Sequence, residues 1–315
     1  MKLQPFLLAA TLLLSACTQQ AAEPATDALA DQPILSTIEF ANLPARQLPP
    51  VQAAWSYNIG GSAALNSGST PTGRVISLDL YDVSRATMTR LKGAGKYIIC
   101  YYSAGTSENY RTDAESKRLL APTLNLGEVQ KGDGGVWGGE RWLDIRGFAA
   151  GTLQTVQTLK QVMTARLTLA QSKGCAAVEP DNVDAWDNVV NQNAPAGTPA
   201  RAISAEDQLA YNRWTASAAH TLGLSVLLKN DLGQAVALAP SYDGALNEEC
   251  FDFGTDCTLL TPFRDAGKAI YVVEYQGAEY ATAARKATAA QLHLNVILTD
   301  LNVTRLDPSA RFGSW

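Results

Sequence analysis

Histidine is nearly missing from this chain: His220 and His293 are the two in 315 residues. That scarcity argues against His-rich metal sites and leaves little for a Ser-His-Asp hydrolase. The G-x-S-x-G turn of α/β-hydrolases is also missing, and Ser103-Ala-Gly105 does not supply it. Runs of Lys and Arg are absent and the net charge is −5, so nothing electrostatic points to nucleic acid as a partner. After the first seventeen residues no apolar run approaches about 18 residues, the length a membrane-spanning helix requires. No internal repeat is evident. What is present is a chain 46% hydrophobic and 17% charged, which fits an enzyme with a sizeable core and not a disordered segment.

The N-terminus carries the first positive signal. Lys2 precedes a short apolar run, Phe6 to Leu14, and Leu14-Ser15-Ala16-Cys17 follows. This reads as a secretory signal over residues 1–16, ending in a bacterial lipobox with Cys17 as the acylated first residue. The alternative is an ordinary cleaved signal with a chance cysteine. A lipid on Cys17 would make a membrane one partner and the cell envelope the location. Residues 17–50 are rich in Ala, Gln, Pro, Thr and Asp and read as a flexible tether. Residues 51–315 are then the folded domain. In an exported protein disulfides persist. Cys250 and Cys257 lie close together in a polar loop segment and are expected to bridge. Cys100 and Cys175 fall in apolar, strand-like runs and are expected to be buried small hydrophobes.

Eight short, continuous, β-branched runs follow. They begin at Ala53, Val75, Lys96, Cys175, Ser225, Gly244, Ala269 and Leu294. Such runs suit parallel strands buried on both faces. Helical patterns lie between several of them. Residues 152–173 place Val156, Leu159, Met163 and Leu167 on one face, with Gly174 as the stop. Ser204-Ala-Glu-Asp207 resembles a capping box and opens a helix to about Leu222. Eight strands with intervening helices predict a single α/β domain, a (β/α)8 TIM-type barrel. Residues 103–151 form an elaborated connection, in which WGGERWLDI is expected to add a small strand or helix.

The runs end in polar and charged residues: Asp79 and Asp82, Tyr101 to Ser103, Glu179 and Asp181, Lys229 to Asp231, Glu248 and Glu274. In a barrel these ends meet at the face that carries the active site. Converging carboxylates acquire separated pKa values, which acid/base chemistry on a glycosidic bond uses.

Several strings together resemble a known family. They are DLYD (79–82), ICYYSAG with ENYR (99–111), GGERWLDIR (138–146), GCAAVEPDNVDAW (174–186), LLKND (227–231), NEEC (247–250) and VEYQG (273–277). In this order they are similar to glycoside hydrolase family 114, the endo-α-1,4-polygalactosaminidases. The resemblance spans about Trp55 to Tyr275. It implies a barrel, a retaining mechanism, Asp181 of the P-D-N motif as nucleophile and Glu248 of the N-E-x-C motif as general acid/base. It implies a galactosamine-rich polysaccharide substrate and no metal or organic cofactor. A deacetylated galactosamine unit carries an ammonium group, which Asp79, Glu108, Asp184 and Glu274 would attract. Trp55, Tyr101, Tyr102 and Trp186 are candidates to stack on sugar faces. Arg111, Glu179, Asn182, Lys229 and Asn230 complete the expected substrate-binding set.

Each of these residues also has a structural reading. For Asp181 and Glu248 the structural alternative is capping of the helices that follow the strands, and for Asp79 it is capping of the next turn. Lys229 is expected to pair with a carboxylate. Glu108 and Arg111, three apart, can simply pair. Trp137 and Trp142 are expected to pack, with sugar platforms as the alternative, and His220 to sit at a core edge. A non-catalytic glycan-binding lipoprotein on the same barrel is the competing function. A metal-dependent deacetylase would want clustered histidines that the chain does not have.

Overall fold

The computed structural model describes residues 45–130, 136–192, 203–252 and 256–313. The expected signal, Cys17 and the tether up to residue 44 lie outside them. Twelve strands are described: β1 Trp55–Asn58, β2 Val75–Asp79, β3 Tyr97–Ser103, β4 Thr106–Glu108, β5 Asn125–Gln130, β6 Val136–Leu143, β7 Ala177–Asp181, β8 Ser225–Lys229, β9 Gly244–Glu248, β10 Ala269–Glu274, β11 Asn295–Leu298 and β12 Ala310–Gly313. All eight runs expected as barrel strands are strands. They pair in parallel in the order β1-β2-β3-β7-β8-β9-β10-β11, and β12 adds antiparallel to β11.

The fold is a (β/α)8-type barrel with one irregular seam. Between β11 and β1, side chains do the joining. The Trp55 indole donates to the Asn295 carbonyl at 2.8 Å, and Arg311 Nε on β12 donates to the Trp55 carbonyl at 3.3 Å.

Two apolar clusters sit on the two sides of the sheet. Ile98, Cys100, Tyr102, Val178, Val226, Leu228, Ile270 and Val272 face the helices. Trp55, Tyr57, Tyr97, Ile99, Ala177, Leu227, Leu246, Tyr271 and Val273 fill the barrel. The period-2 alternation of a strand separates these sets, although both are apolar.

Helix Gln154–Lys173 buries Val156, Leu159, Met163 and Leu167 and ends at Gly174, whose φ of 82° is the left-handed stop. Ser204 caps helix Ala205–Thr221, accepting the Asp207 N–H at 3.0 Å. The long connection after β3 folds into a second, antiparallel sheet, β4-β6-β5, with WGGERWL inside β6. His220 sits at the core edge as expected, 2.9 Å from Asp243.

Two expectations are corrected here. Cys250 bridges Cys257 as expected, but Cys100 and Cys175 are bridged too. The reason is topological: β3 lies beside β7, so residues 75 apart in sequence come to a Cα separation of 6.0 Å. The expected tether also ends early. Arg46 pairs with Asp243 at 3.3 Å, and the Gln47 carbonyl accepts from Tyr97 and Ser225, each at 2.7 Å. The Pro50 carbonyl accepts from Tyr271 at 2.7 Å. Residues 46–50 are therefore part of the barrel floor.

Candidate active site

The inward alternation ends, at the C-terminal mouth, in Asp79 of β2, Tyr101 of β3, Asp181 of β7, Lys229 of β8 and Glu248 of β9. The hydrophobic residues two positions earlier in β3, β8 and β9 (Ile99, Leu227 and Leu246) belong to the barrel interior, so these last side chains stand on an apolar floor. A cleft of ≈ 850 Å³ opens above them. The β4-β6-β5 sheet forms part of its wall, contributing Val129, Trp137, Glu140 and Trp142.

Lys229 is the hub. Its ammonium is 2.9 Å from Asp181, 3.0 Å from Glu248 and 3.5 Å from Glu179. Burial alone would push that ammonium down. Asp181, Glu248 and Glu179 outweigh it and hold the lysine well above its ordinary value. Sharing one nitrogen, the near oxygens of Asp181 and Glu248 stand no more than about 6 Å apart.

Each carboxylate has further donors. Tyr101 donates to Asp181 at 3.1 Å. Asn230 donates to the Glu248 carboxylate at 3.1 Å, and the Tyr275 hydroxyl donates to its other oxygen. Burial pushes Glu248 up, but Lys229 and these hydrogen bonds prevail and hold it below the usual carboxylate range. Glu179 lies one layer deeper and is fully buried. It accepts from Tyr57 at 2.7 Å and Ser77 at 2.6 Å, and burial pushes it up to about 7.

Asn182 and Asn230, directly after Asp181 and Lys229, have φ of 61° and 49°. Asparagine tolerates this left-handed region. The Asn182 amide donates to Ser103 at 3.1 Å, and its backbone is touched so closely by Gly105 that a Cβ there would stand 1.6 Å from the Asn182 carbonyl oxygen. Only glycine fits at 105.

Arg111 organises a second cluster. It pairs with Asp79 at 2.6 Å, Glu108 at 3.3 Å and Asp82 at 3.4 Å. Asp79 also accepts the N–H groups of Tyr81 and Asp82, so it both caps a turn and lines the cleft. Asp184 lines the cleft as well, and burial pushes it up to about 7.

The Glycoside-hydrolase family GH114 pattern matches residues 36–312. The chain belongs to this family. As a GH114 member it is a glycoside hydrolase. Among solved structures the chain is similar to Ega3 of Aspergillus fumigatus, determined in complex with galactosamine. The identity is 26% and the TM-score 0.65, covering 82% of this chain and 96% of that one. It shares its fold with the glycoside hydrolase domain of PelA from Pseudomonas aeruginosa, at 14% identity and a TM-score of 0.55, covering 83% and 99%. No curated protein sequence matches it.

Several side chains expected in this GH114 cleft are elsewhere. Trp55 is fully buried at the start of β1 and packs on Tyr57 and Tyr271, on the barrel floor. Tyr102 has the outward parity of β3 and is buried against the helices. Glu274 shares the outward parity of Val272 and accepts the Phe251 N–H at 3.2 Å. Trp186 packs on the outer core and donates to Asp231 at 2.9 Å. Glu108 is buried behind Arg111, which neutralises it. Trp142 is buried as expected, but Trp137 is 42% exposed on the cleft wall. Five residues not singled out from the sequence complete the site: Tyr57, Ser77, Tyr110, Glu140 and Tyr275. Of these, Tyr110, Glu140 and Tyr275 lie inside the family strings ENYR, GGERWLDIR and VEYQG.

Proposed function

We propose that this GH114 hydrolase is endo-acting and retaining, and that it cleaves α-1,4-linked galactosamine-containing polysaccharide. Asp181 is the nucleophile and Glu248 the general acid/base. The observation that carries this reading is the pair itself: two carboxylates from neighbouring strand ends held on one ammonium, at the mouth of an open cleft. The galactosamine bound in the similar Ega3 structure supports the sugar class.

In the first step an Asp181 oxygen attacks the anomeric carbon. The glycosidic C–O bond breaks, and protonated Glu248 gives its proton to the departing oxygen. A glycosyl ester on Asp181 results. In the second step Glu248, now a carboxylate, takes a proton from water. The water oxygen attacks the same carbon and Asp181 leaves as a carboxylate. Lys229 stabilises the ionised nucleophile before attack and the carboxylate that is regenerated. Tyr101 and Asn182 hold the nucleophile's end of the site.

We further propose export and lipid anchoring through Cys17. The two disulfides support an oxidising compartment.

The test is cleavage of partially deacetylated α-1,4-galactosaminan, followed by proton NMR of the first reducing ends. Internal scission with α-configured ends is expected. Ends that appear first as β would contradict retention, and no scission would contradict the substrate.

A further inference from the structure

The acidic side chains in and beneath the cleft differ in what neutralises them. Asp79, Asp82 and Glu108 share Arg111. Glu179, Asp181 and Glu248 share Lys229. Glu140 has neither. It lines the cleft from β6, and its partners are two hydroxyls: Thr106 at 3.1 Å and Tyr110 at 3.3 Å. Among the described residues no basic nitrogen lies within 4 Å of it. Its charged neighbours are Glu108 on β4 and Asp181 on β7, both of its own sign. Burial, then these charges, push the Glu140 carboxyl up to about 7. A half-buried carboxylate beside like charges is stabilised by an arriving cation.

Trp137 shares that wall. Three residues apart on a regular strand, Trp137 and Glu140 would point to opposite faces. Gly138-Gly139 breaks the pleat between them. Gly139 has a φ of 90°, and a Cβ there would stand 2.2 Å from Asn109 Oδ1. Both side chains therefore line one cavity.

We propose that Trp137 and Glu140 form an aminosugar subsite in which the indole stacks on the ring and Glu140 receives the 2-ammonium group. The β6 ribbon is then the element that selects deacetylated over N-acetylated units. This rests on the galactosaminan reading above. An acetamide at the same carbon brings no charge and leaves Glu140 unneutralised, whereas stacking on the indole needs only the sugar face.

The test uses the full chain and its Glu140→Gln, Glu140→Asp and Trp137→Ala variants. KM is measured on partially deacetylated and on fully N-acetylated α-1,4-galactosaminan. Binding of galactosamine and of N-acetylgalactosamine is measured by calorimetry. Glu140→Gln should raise KM on the deacetylated polymer about tenfold and weaken galactosamine binding similarly, while leaving the N-acetylated ligands within about twofold. Glu140→Asp, which keeps the charge, should recover part of the discrimination. Trp137→Ala should weaken both classes together. Equal effects of Glu140→Gln on charged and acetylated ligands, or none on either, would overturn the subsite. A wild type that cleaves neither polymer would overturn the substrate reading instead, and the monosaccharide titrations would still decide the subsite.

Discussion

At the cleft floor three side chains are each followed by a residue in left-handed backbone: Asn182 after Asp181, Asn230 after Lys229 and Glu249 after Glu248. The chain turns away at once, so the preceding side chain is left pointing into the cleft on a rigid strand end. Lys229 then sets the electrostatics. It favours Glu248 as a carboxylate in the free enzyme, whereas the proposed first step needs that group protonated. On that proposal only molecules with Glu248 protonated start the reaction, so kcat/KM should fall as pH rises from an acidic optimum. Tyr275→Phe removes a donor that favours the carboxylate and should move this fall to higher pH. An unmoved limb in the pH profile would remove Glu248 from the acid role. Asp181, Lys229 and Glu248 were legible because charge at the end of an apolar run is conspicuous. A continuous apolar run does not reveal which parity faces the barrel axis, which hides the outward turn of Tyr102 and Glu274, and Trp55 faces inward but at the floor end of the barrel. Tyr57 gives no signal, since tyrosine is an ordinary strand residue.

At the scale of elements, the eight strands and the helices Gln154–Lys173 and Ala205–Thr221 were readable from apolar runs, spacing and caps. What could not be read was adjacency. The 75-residue separation of Cys100 and Cys175 hides a contact that exists only because β3 and β7 are neighbours. Likewise the insertion between them gave no indication that its ribbon folds back over the cleft. The Cys100–Cys175 bridge closes a much longer loop than Cys250–Cys257, whose separation is 7. On chain-entropy grounds, replacing Cys100 and Cys175 together by Ala should cost roughly 4 kcal/mol, against roughly 2.5 kcal/mol for Cys250 and Cys257. Urea unfolding of the two double variants checks this. A larger loss from the short-loop pair would contradict it.

Across the whole molecule, burial raises five carboxyls far above their ordinary values: Glu140, Glu179, Asp184 and Glu274 to about 7, and Asp231 to about 8. In the unfolded chain they release protons near about 4. Between these limits the folded state binds more protons, so its stability falls as pH rises. Asp113, Asp243, Asp300 and Asp307 are shifted the other way, and their contribution is lost as pH falls below about 4. The melting temperature should therefore peak at about pH 4–5 and decline toward pH 8. A melting temperature that is flat or rising over pH 5–8 would contradict this, and calorimetric scans at fixed ionic strength measure it.

The most direct measurement is reducing-end release from partially deacetylated α-1,4-galactosaminan by wild type, Asp181→Asn and Glu248→Gln, with melting curves recorded alongside. Release by wild type, reduced about a thousandfold in each folded variant, is the predicted result. Release near the wild-type rate by either folded variant would contradict the assigned pair.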